Sequence, residues 1–505
     1  MKKIYKTEDL AIILRKKFKN KKIGLCHGVF DLLHIGHIKH FEQAKKIVDV
    51  LVVSITSDKF VTKGPDRPAF KQELRMQAIA ALKDVDYICL SDSKTAIKNL
   101  QILRPQFFIK GNDYKDSKKD ITGEIRNEIK VLKKFRGKTY FTQGITSSSS
   151  KILNEFFNNK SKSQEKFLNK IKKKFTFEYI NKLINKFKSK TVLVLGETII
   201  DKYNFTEAIG KSGKEPNLVL RDLKTEQYLG GAVAIALNLS QFCKKINLLT
   251  VIGEKGDYLK EIKKKLPKNI DLIFIKKKDS PTIIKKRYLD LPSMNKIFGV
   301  YDINDDDLNL KQEAELKKKF EKLNRKSDFI LISDYGHGFI TKKISKIISN
   351  SKKFIALNAQ INANNIGFHT LKNYKNIDFV IINEKELRHE LRNRNGDLKK
   401  LIKVFTHNQN IKDLIVTRGS SGAILYNKKN KLFYYCPALS DKILDKVGSG
   451  DTMLTQSSLA LYMSGSRELC LFLGSVAASE TIKNFGNKNQ IQKENFLKSI
   501  KHQLI

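Results

Sequence analysis

Cysteine is scarce in this chain, and the few that occur lie far apart. The five are Cys26, Cys89, Cys243, Cys436 and Cys470, with no CxxC pair among them. Zinc sites and disulfide frameworks depend on characteristic cysteine spacings, so this pattern argues against both. We expect a cytoplasmic protein with reduced thiols.

Long apolar stretches are also missing. No run approaches the roughly 20 residues that cross a bilayer, and Asp9 and Lys16 interrupt any apolar segment that could form a signal peptide. The apolar fraction of 41% still suffices for globular cores. Because single cores stop growing at roughly 250 to 300 residues, the 505 residues predict two or three domains without membrane insertion.

Acidic residues are few relative to basic ones: 52 Asp and Glu face 97 Lys and Arg, a net charge of +45. Such a field attracts nucleic acid or anionic lipid without specificity. The lysines are spread along nearly the whole chain, and tryptophan is absent, so we interpret the charge as a compositional bias. We expect no specific nucleic-acid partner, and we expect the field to favour phosphorylated substrates.

The first part of the chain alternates short apolar runs with helical patterns, which predicts a parallel sheet with crossover helices. The predicted strands are Ile23 to Val29, Val50 to Ile55, Tyr87 to Leu90, Phe107 to Ile109 and Thr139 to Phe141. The pattern is typical of a Rossmann-like α/β domain, placed at residues 1–157.

A lysine-rich stretch with helical spacing follows and is predicted as a helical connector at 158–190. A second α/β domain, 191–505, begins with the apolar strand Thr191 to Leu195. Further buried strands are predicted at Phe329 to Ile332, Phe379 to Ile382 and Leu414 to Thr417.

Between Asp201 and Tyr301 the apolar residues alternate with polar ones, as in Asn217 to Arg221 and Ile283 to Tyr288. Such alternation predicts antiparallel strands rather than βαβ units. We expect a small sheet added to the main fold, serving as a lid or as a homodimer surface.

The first chemical motif is the strand-to-helix segment from Gly28 through Phe30 to His37. A helix N-terminus offers free N–H groups to phosphate, and Gly36 would let a nucleotide approach the backbone. His34 and His37, three residues apart, share a helical face and could stabilise charge on a triphosphate. An isolated HxxH is more often a helix cap, and a zinc site would need a third ligand.

With its flanking residues, this segment resembles the HxGH nucleotidyltransferases, which include cytidylyltransferases and pantetheine-phosphate adenylyltransferase. Further segments match the family in order: Asp66-Arg67-Pro68 with Glu73 and Arg75, Lys110 to Tyr114, and Gly144 to Ile152 with its serine run. The resemblance implies that Lys110 joins the histidines in transition-state contacts, and that Gly28, Phe30, Gly36, Arg75, Ser148 and Ser149 bind nucleotide or phosphate. It also implies Mg²⁺.

One departure bears on the nucleotide. Glycerol-phosphate cytidylyltransferases carry an arginine three residues before the glycine of their GISTT motif, where this chain has Phe141. Heptose-phosphate adenylyltransferases also lack that arginine. The resemblance therefore favours adenylyl over cytidylyl transfer.

The second chemical motif is Asp445-Lys446-Val447-Gly448-Ser449-Gly450-Asp451, before a helical stretch. Its glycines would leave the backbone N–H groups at a helix start available to stabilise a developing phosphate charge. Asp451 would act as the base that deprotonates a sugar hydroxyl. A glycine-rich turn capped by aspartate is the plainer interpretation.

The motif resembles the DTxGAGD signature of the ribokinase or PfkB family, and four more segments match that family in order. Thr417, Gly419 and Gly422 match its ATP-contact segment, as Gly448, Ser449 and Gly450 match its phosphate-binding turn. Asn383 and Glu386 match its indirect Mg²⁺ site. Asp201, Gly230, Gly231 and Asn238 match its sugar-binding regions.

Together the halves resemble the bifunctional heptose 7-phosphate kinase/heptose 1-phosphate adenylyltransferases of lipopolysaccharide synthesis, with the domain order reversed. The resemblance implies ATP-dependent phosphorylation of D-glycero-D-manno-heptose 7-phosphate at C1. After a separate phosphatase acts, it implies adenylyl transfer to heptose 1-phosphate, giving ADP-heptose and pyrophosphate. One alternative is a cytidylyltransferase and kinase acting on another sugar or polyol phosphate. The other is a sugar or nucleotide sensor with a degenerate kinase half.

Overall fold

The computed structural model describes residues 3–61, 68–111, 124–143, 160–255, 258–361, 365–366, 369–440 and 443–504. Its contacts divide the chain into two compact units, one formed by residues 1–159 with 497–503 and 505, and one by residues 160–496 with 504. Among the described residues, none of the helices combines the length and apolarity needed to cross a bilayer.

The first unit has a five-stranded sheet. Its strands are β1 (Ile23–Gly28), β2 (Val50–Thr56), β3 (Tyr87–Ser91), β4 (Phe107–Gly111) and β5 (Lys138–Thr142). Its helices are α1 (Thr7–Lys17), α2 (Ile35–Ile47), α3 (Gln72–Ala80), α4 (Ile97–Leu103) and α5 (Ile125–Lys134). The strand order is β3-β2-β1-β4-β5, and every pairing is parallel. The predicted Rossmann-like parallel sheet is confirmed.

Both faces of this sheet are covered by helices, as the uniformly apolar strands require. Leu25 and Val52 belong to the core on the side of α1, α4 and α5. Their neighbours Cys26 and Val53 point to the opposite face and pack against α2 and α3. The two-residue period of the strands thus separates one apolar run into two cores.

The second unit contains a nine-stranded sheet and a four-stranded sheet. Its strands are β6 (Thr191–Gly196), β7 (Thr198–Lys211), β8 (Leu218–Gly230), β9 (Lys245–Lys255), β10 (Ile270–Pro281), β11 (Ile283–Asp290), β12 (Lys296–Asp302), β13 (Phe329–Asp334), β14 (Phe354–Ala359), β15 (Phe379–Asn383), β16 (Asp413–Thr417), β17 (Ala423–Asn427) and β18 (Leu432–Cys436). Its helices are α6 (Lys162–Lys174), α7 (Phe177–Lys186), α8 (Gly231–Ser240), α9 (Tyr258–Lys265), α10 (Leu310–Lys326), α11 (Lys342–Ser349), α12 (Glu384–Glu390), α13 (Leu398–Asn408), α14 (Ser449–Ser464) and α15 (Arg467–Thr481). Helix α16 (Lys493–Leu504) ends the chain.

The large sheet has the order β10-β9-β6-β13-β14-β15-β16-β17-β18. Its pairings are parallel as far as β16, and β17 and β18 add an antiparallel edge. The predicted strands at 191, 329, 379 and 414 all lie in it. Their carboxyl ends therefore share one edge, where ligands of doubly wound sheets bind.

Helices α6 and α7 occupy the segment predicted as a connector, and both pack within the second unit. The Phe167 ring of α6 lies 6.4 Å from that of Phe472, and Gln164 donates to the carbonyl of Ala438 at 2.6 Å. Ser161 and Gln164 form a reciprocal capping box that begins α6. The helical structure of this segment is thus stabilised by contacts with the domain that follows it.

The small sheet, made of β12, β11, β7 and β8 in that order, is mixed rather than purely antiparallel. Strands β7 and β8 are antiparallel, as are β11 and β12, but β11 pairs with β7 in parallel. The reason is that β7 continues from β6, and β11 from β10, without a hairpin. Since β6 and β10 run in the same direction in the large sheet, their continuations do too.

Candidate active sites

The first candidate site begins where β1 ends and α2 starts. His34 caps α2: its Nδ1 accepts a hydrogen bond from the N–H of Gly36 at 3.1 Å. Because a neutral imidazole has one donor nitrogen and one acceptor nitrogen, this bond leaves the proton on Nε2. His34 is therefore held as a hydrogen-bond donor beside the N–H groups of the first helical turn.

The two motif histidines lie together in the structure. The rings of His34 and His37 have centroids 3.9 Å apart, and Phe30 packs edge-on against His37 at 5.3 Å. Phe30 adopts a positive φ of 46°, a conformation that is uncommon for a bulky side chain. A Cβ at Gly28 would come within 3.1 Å of the Phe30 ring. Glycine at that position thus permits the turn that presents the histidines.

Arg75, predicted as a phosphate contact, is buried among backbone carbonyls. Only 2% of the residue is exposed. Its guanidinium donates to the carbonyls of Val29, Phe70 and Thr56 and to Asp58. These acceptors engage Nε and both terminal nitrogens, so the group positions the chain on either side of the motif. Its contact with phosphate stays a prediction.

Lys110 is buried near α2 and forms an ion pair with Glu128 of α5 at 3.1 Å. Its charge contributes to holding two neighbouring histidines neutral. Burial first, and then Lys110, lower the pKa of His27 to about 3 and that of His40 to about 4. A neutral His40 hydrogen-bonds Thr142 of β5 through its Nδ1 at 2.8 Å.

Several predicted residues of this site lie outside the described part of the chain. They are Asp66 and Arg67, the segment 112–114, and the serine run with Ser148 and Ser149. Within the described part, the structure brings together Gly28, Phe30, His34, Gly36 and His37.

The second candidate site is centred on Asp451, in the first turn of α14. The residue is 5% exposed, and its Oδ2 accepts a hydrogen bond from the hydroxyl of Tyr335 at 2.9 Å. Ser333 and Gln360 donate to Oδ1 at 3.4 Å each. Burial raises the pKa of Asp451 to about 7, although the Tyr335 hydrogen bond opposes the shift. A carboxylate with such a pKa is suited to general-base catalysis near neutral pH.

The glycine turn before Asp451 presents the N-terminus of α14. Gly448 caps this helix in the left-handed conformation, with φ 80°, and a Cβ there would collide with Oδ1 of Asn487. The space around the Cα of Gly450 is open, with nothing within 4 Å of an added Cβ. The N–H of Ser449 donates to the carbonyl of Lys446 and that of Thr452 to the carbonyl of Gly448. The N–H groups between them, at Gly450 and Asp451, are therefore the ones that a ligand can approach.

A cavity of about 310 Å³ opens beside this turn. It gathers seven residues that the sequence predicted as nucleotide or Mg²⁺ contacts: Asn383, Glu386, Thr417, Gly419, Gly422, Ser449 and Gly450. Lys446 also lines it, so this lysine of the glycine motif faces the ligand space. Gln360, another lining residue, donates to Asp451. The cavity therefore leads from the predicted nucleotide contacts toward the base.

The predicted Mg²⁺ residues Asn383 and Glu386 form a capping box at the start of α12. Glu386 Oε2 accepts from the N–H of Asn383 at 2.8 Å, and Asn383 Oδ1 accepts from Lys385 at 2.9 Å. Burial raises the pKa of Glu386. No cluster of three or more His, Cys, Asp or Glu suited to a metal occurs among the described residues. This donor set fits a Mg²⁺ that is held by substrate phosphates and water rather than by a protein cage.

The predicted sugar residues occupy the junction of the small sheet with α8. Asp201 is 3% exposed and forms an ion pair with Arg287 of β11 at 2.5 Å. A Cβ at Gly230 would collide with Asp201, and one at Gly231, whose φ is 60°, would collide with the carbonyl of Glu197. Asn238 accepts from the N–H of Ile491 at 3.0 Å and so ties α8 to the C-terminal segment. Of these four residues, Asp201 has the chemistry to accept sugar hydroxyls.

Sequence reasoning missed the residues that hold and surround the base. Ser333 and Tyr335 stand at and just after the carboxyl end of β13, and Gln360 follows β14. Lys285, on β11, is 8% exposed, and the nearby carboxylates of Asp201 and Asp451 oppose the lowering of its pKa by burial. A polar residue directly after a buried parallel strand was the available signal for the first three. The position of Lys285 depends on the pairing of β11 with β7, which the sequence did not indicate.

Comparison with protein families gives two matches. Residues 189–494 match the pfkB family of carbohydrate kinases, and residues 25–155 match the cytidylyltransferase-like family. The first match contains the cavity and Asp451, and the second contains His34, His37 and Lys110.

Similar proteins are found among curated sequences and solved structures. The chain is 35% identical over 135 residues to the bifunctional protein HldE of Nitratiruptor sp., covering 26% of this chain and 29% of that protein. It is 37% identical over 131 residues to that of Sulfurimonas denitrificans, covering 26% and 27%. These alignments span less than a third of either relative. A mutant of phosphofructokinase-2 from Escherichia coli matches in fold with a TM-score of 0.50 at 16% identity, covering 62% of this chain and 99% of that one.

Proposed function

Because the chain belongs to the pfkB family of carbohydrate kinases, we propose that it phosphorylates a sugar phosphate with ATP, giving a sugar bisphosphate. We propose that its other half transfers a nucleotidyl group to the sugar 1-phosphate that remains once a separate phosphatase has removed the original phosphate. The observation that carries the proposal is the cavity lined by Thr417, Gly419, Gly422, Ser449 and Gly450. It combines open glycine backbone with a helix N-terminus, which suits a triphosphate, and it lies next to a buried carboxylate.

In the kinase half, Asp451 takes the proton of the attacking hydroxyl as the sugar oxygen bonds to the γ-phosphorus and ADP leaves. With a pKa of about 7, the carboxylate is basic enough to accept this proton near neutral pH. The free N–H groups of the α14 terminus stabilise the charge on the transferred phosphoryl group. Lys446, which lines the cavity, is placed to neutralise ATP phosphates.

Mg²⁺ is the metal we propose for this half, with Glu386 and Asn383 holding its water ligands. When bound, Mg²⁺ neutralises ATP phosphate charge and aligns the phosphates for in-line transfer. The capping box fixes the Glu386 carboxylate through the N–H groups of Asn383 and Ile361.

The acceptor is proposed to be anionic because a buried lysine, Lys285, interacts electrostatically with both Asp201 and Asp451. Lys285 has its ammonium 5.6 Å from the ring centres of Tyr301 and Tyr335. Among the described residues no hydrogen bond or ion pair engages that ammonium. Burial lowers the pKa of Lys285, although Asp201 opposes the shift. A buried ammonium of this kind is best satisfied by a substrate phosphate.

In the transferase half, an oxygen of the sugar 1-phosphate attacks the α-phosphorus of the nucleotide, and pyrophosphate leaves. His34 and His37 donate to the triphosphate, and Lys110 supplies positive charge beside them. Ser148 and Ser149 are proposed to hold its outer phosphates. The reaction depends on positioning and charge neutralisation rather than on a strong base.

For the kinase half we propose D-glycero-D-manno-heptose 7-phosphate and ATP as substrates, giving the 1,7-bisphosphate. For the transferase half we propose heptose 1-phosphate, formed by a separate phosphatase, and ATP, giving ADP-heptose and pyrophosphate. Both reactions are proposed for the cytoplasm, where ATP is available. The N-terminal similarity to HldE proteins and the Phe141 departure support this choice. Transfer from CTP, with another sugar or polyol phosphate, is the second candidate, and it is favoured by the cytidylyltransferase-like match. A sensor with an inactive kinase half is less consistent with an Asp451 held by three donors.

We also propose a homodimer through the small sheet. Every residue of its edge strand β12 is exposed, including Phe298 at 47% and Val300 at 46%. Since alternate residues share a strand face, these two form an apolar strip that a second copy could cover. Light scattering of Phe298→Glu against wild type tests this, because the variant should be monomeric where the wild type is dimeric.

The decisive experiment is a pair of half-reaction assays on the full chain. Sugar phosphates are offered with ATP while ADP is measured, and sugar 1-phosphates are offered with ATP or CTP while pyrophosphate is measured. The proposal expects ADP from heptose 7-phosphate and pyrophosphate from heptose 1-phosphate with ATP. Turnover with CTP alone would establish the second candidate, and sugar binding without turnover in either assay would establish the sensor.

A further inference from the structure

Asp445, the first residue of the glycine motif, is a buried carboxylate with four donors. It is 4% exposed. Lys296 donates to Oδ1 at 2.5 Å and the N–H of Val447 at 3.1 Å. The hydroxyl of Tyr203 donates to Oδ2 at 2.7 Å and the N–H of Gly486 at 3.0 Å. The chemistry assigned above to Asp451 and the cavity does not involve this carboxylate.

The donors join two parts of the kinase unit. Tyr203 lies on β7 and Lys296 on β12, so both side-chain donors come from the small sheet. The N–H of Val447 belongs to the glycine turn itself, and its bond to Asp445 is a local side-chain turn that shapes the backbone leading into Gly448. Through one carboxylate, the small sheet thus contacts the turn that presents the α14 N-terminus.

We infer that Lys296 and Asp445 form a positioning pair, which holds the glycine turn in the geometry needed to receive the transferred phosphoryl group. The inference rests on the proposed kinase function of this site. It assigns the small sheet a part in catalysis beyond enclosing the sugar, because Lys296 comes from its edge strand. Neither residue touches the reacting atoms.

The opposite charges of Lys296 and Asp445 also affect how the turn receives ATP. Burial alone would raise the pKa of Asp445, but hydrogen bonds from Lys296 and Tyr203 hold it below the ordinary value. The residue therefore stays a carboxylate two positions from a turn that must receive anionic phosphate. The Lys296 ammonium offsets that charge, so the pair presents no net repulsion to ATP. The ammonium also lies 5.8 Å from the centre of the Tyr203 ring, which adds a cation–π contact.

The test compares Lys296→Ala, Lys296→Arg and a control, Lys211→Ala, in the full chain. Lys211 is an exposed lysine at the end of β7 in the same small sheet. For Lys296→Ala we expect kcat of sugar phosphorylation to fall about tenfold, less than the loss of a direct oxyanion donor, with KM for the sugar little changed. Lys296→Arg should keep most of the activity, because it restores a cation to Asp445. Ammonium or methylammonium ions should partly rescue Lys296→Ala.

A readout independent of turnover is amide hydrogen exchange across residues 445–451. Lys296→Ala should speed exchange in this segment while Lys211→Ala leaves it unchanged, and pyrophosphate release by the transferase half should be unaffected in both. Unchanged exchange, or equal activity of Lys296→Ala and wild type, would overturn the positioning pair. Faster exchange in a protein whose wild type shows no kinase turnover would retain the pair and reject the proposed kinase function instead.

Discussion

Tyr335 donates its hydroxyl to Oδ2 of Asp451 at 2.9 Å, across 116 residues of sequence. Burial and the adjacent carboxylate raise the pKa of Tyr335 well above its ordinary value, so the phenol remains a donor at any physiological pH. The hydrogen bond favours the ionised form of Asp451. Tyr335 thereby opposes the burial that would otherwise keep the base protonated.

Replacing this phenol tests how the base is tuned. Tyr335→Phe should raise the pKa of Asp451 further and move the acidic limb of kcat/KM for sugar phosphorylation to higher pH. A displacement of about one pH unit would lower the rate about tenfold on that limb, with little loss at pH 9. A pH–rate profile of both proteins measures the displacement. If kcat/KM fell by the same factor at every pH, Tyr335 would have only a structural role.

Asp451→Asn should abolish sugar phosphorylation, with kcat falling roughly 10² to 10⁴-fold as for a lost general base. Sugar binding, followed by calorimetry, should persist, because the amide keeps the volume of the carboxylate. Turnover that survives the substitution would contradict the assignment of the base.

The same variant makes a prediction about stability and pH. Burial raises the pKa of Asp451 to about 7 from 3.8, so the folded state holds a proton that the unfolded state has lost between these values. Wild-type stability from this group therefore falls as pH rises from about 4 to 7. Glu197, with a pKa raised to about 7 by burial and by Asp334, has the same sign. Denaturant unfolding at pH 5 and pH 8 should show Asp451→Asn gaining more stability at pH 8.

His34→Ala and His37→Ala should each slow pyrophosphate release about 10² to 10³-fold, as for removal of a preorganised donor. Sugar phosphorylation should be retained, since these histidines belong to the first unit. His407→Ala, an exposed histidine of α13, serves as the control and should leave both activities unchanged. Loss of kinase activity in the His34 or His37 variant would show a folding defect rather than a catalytic one.

Glu128→Ala should destabilise the first unit by about 3 kcal/mol, because it removes one member of a buried ion pair with Lys110. The exposed pair of Lys39 and Glu42, at 2.8 Å, supplies the control, and Glu42→Ala should cost no more than about 0.5 kcal/mol. Urea unfolding followed by circular dichroism measures both. Similar midpoints for the two variants would mean that the Lys110 pair contributes no more than a surface one.

Lys285→Met should raise KM for the sugar phosphate about 10 to 100-fold while leaving KM for ATP unchanged, since the proposed contact is charge-assisted. The corresponding unphosphorylated sugar, used as a slow substrate, should be affected less than threefold. Equal increases in KM for both sugars would show that Lys285 does not bind the phosphate of the substrate.

Local sequence was sufficient for those parts of the protein that depend on neighbouring residues. Apolar runs such as Val192 to Leu195 are typical of strands buried on both faces of a parallel sheet. The glycine motif at Gly448 is typical of a left-handed cap at a helix start. The parallel sheets of both units and the small sheet were predicted on this basis, and the ribokinase-like assignment came from the resemblance of the motifs to that family. The structure agrees with both. The serine run with Ser148 and Ser149 stays a prediction.

Tertiary structure alone decided what depends on residues distant in sequence. The enclosure of the Arg75 guanidinium by carbonyls from three segments is one example, and its predicted phosphate contact stays a prediction. The parallel pairing of β7 with β11 follows from two strands crossing between sheets, and it carries Lys285 toward Asp451. Lys296 meets Asp445 across 149 residues. Hydrophobic period and turn chemistry act over a few residues, whereas burial, pKa and charge pairing depend on which surfaces meet, and only the folded chain determines that.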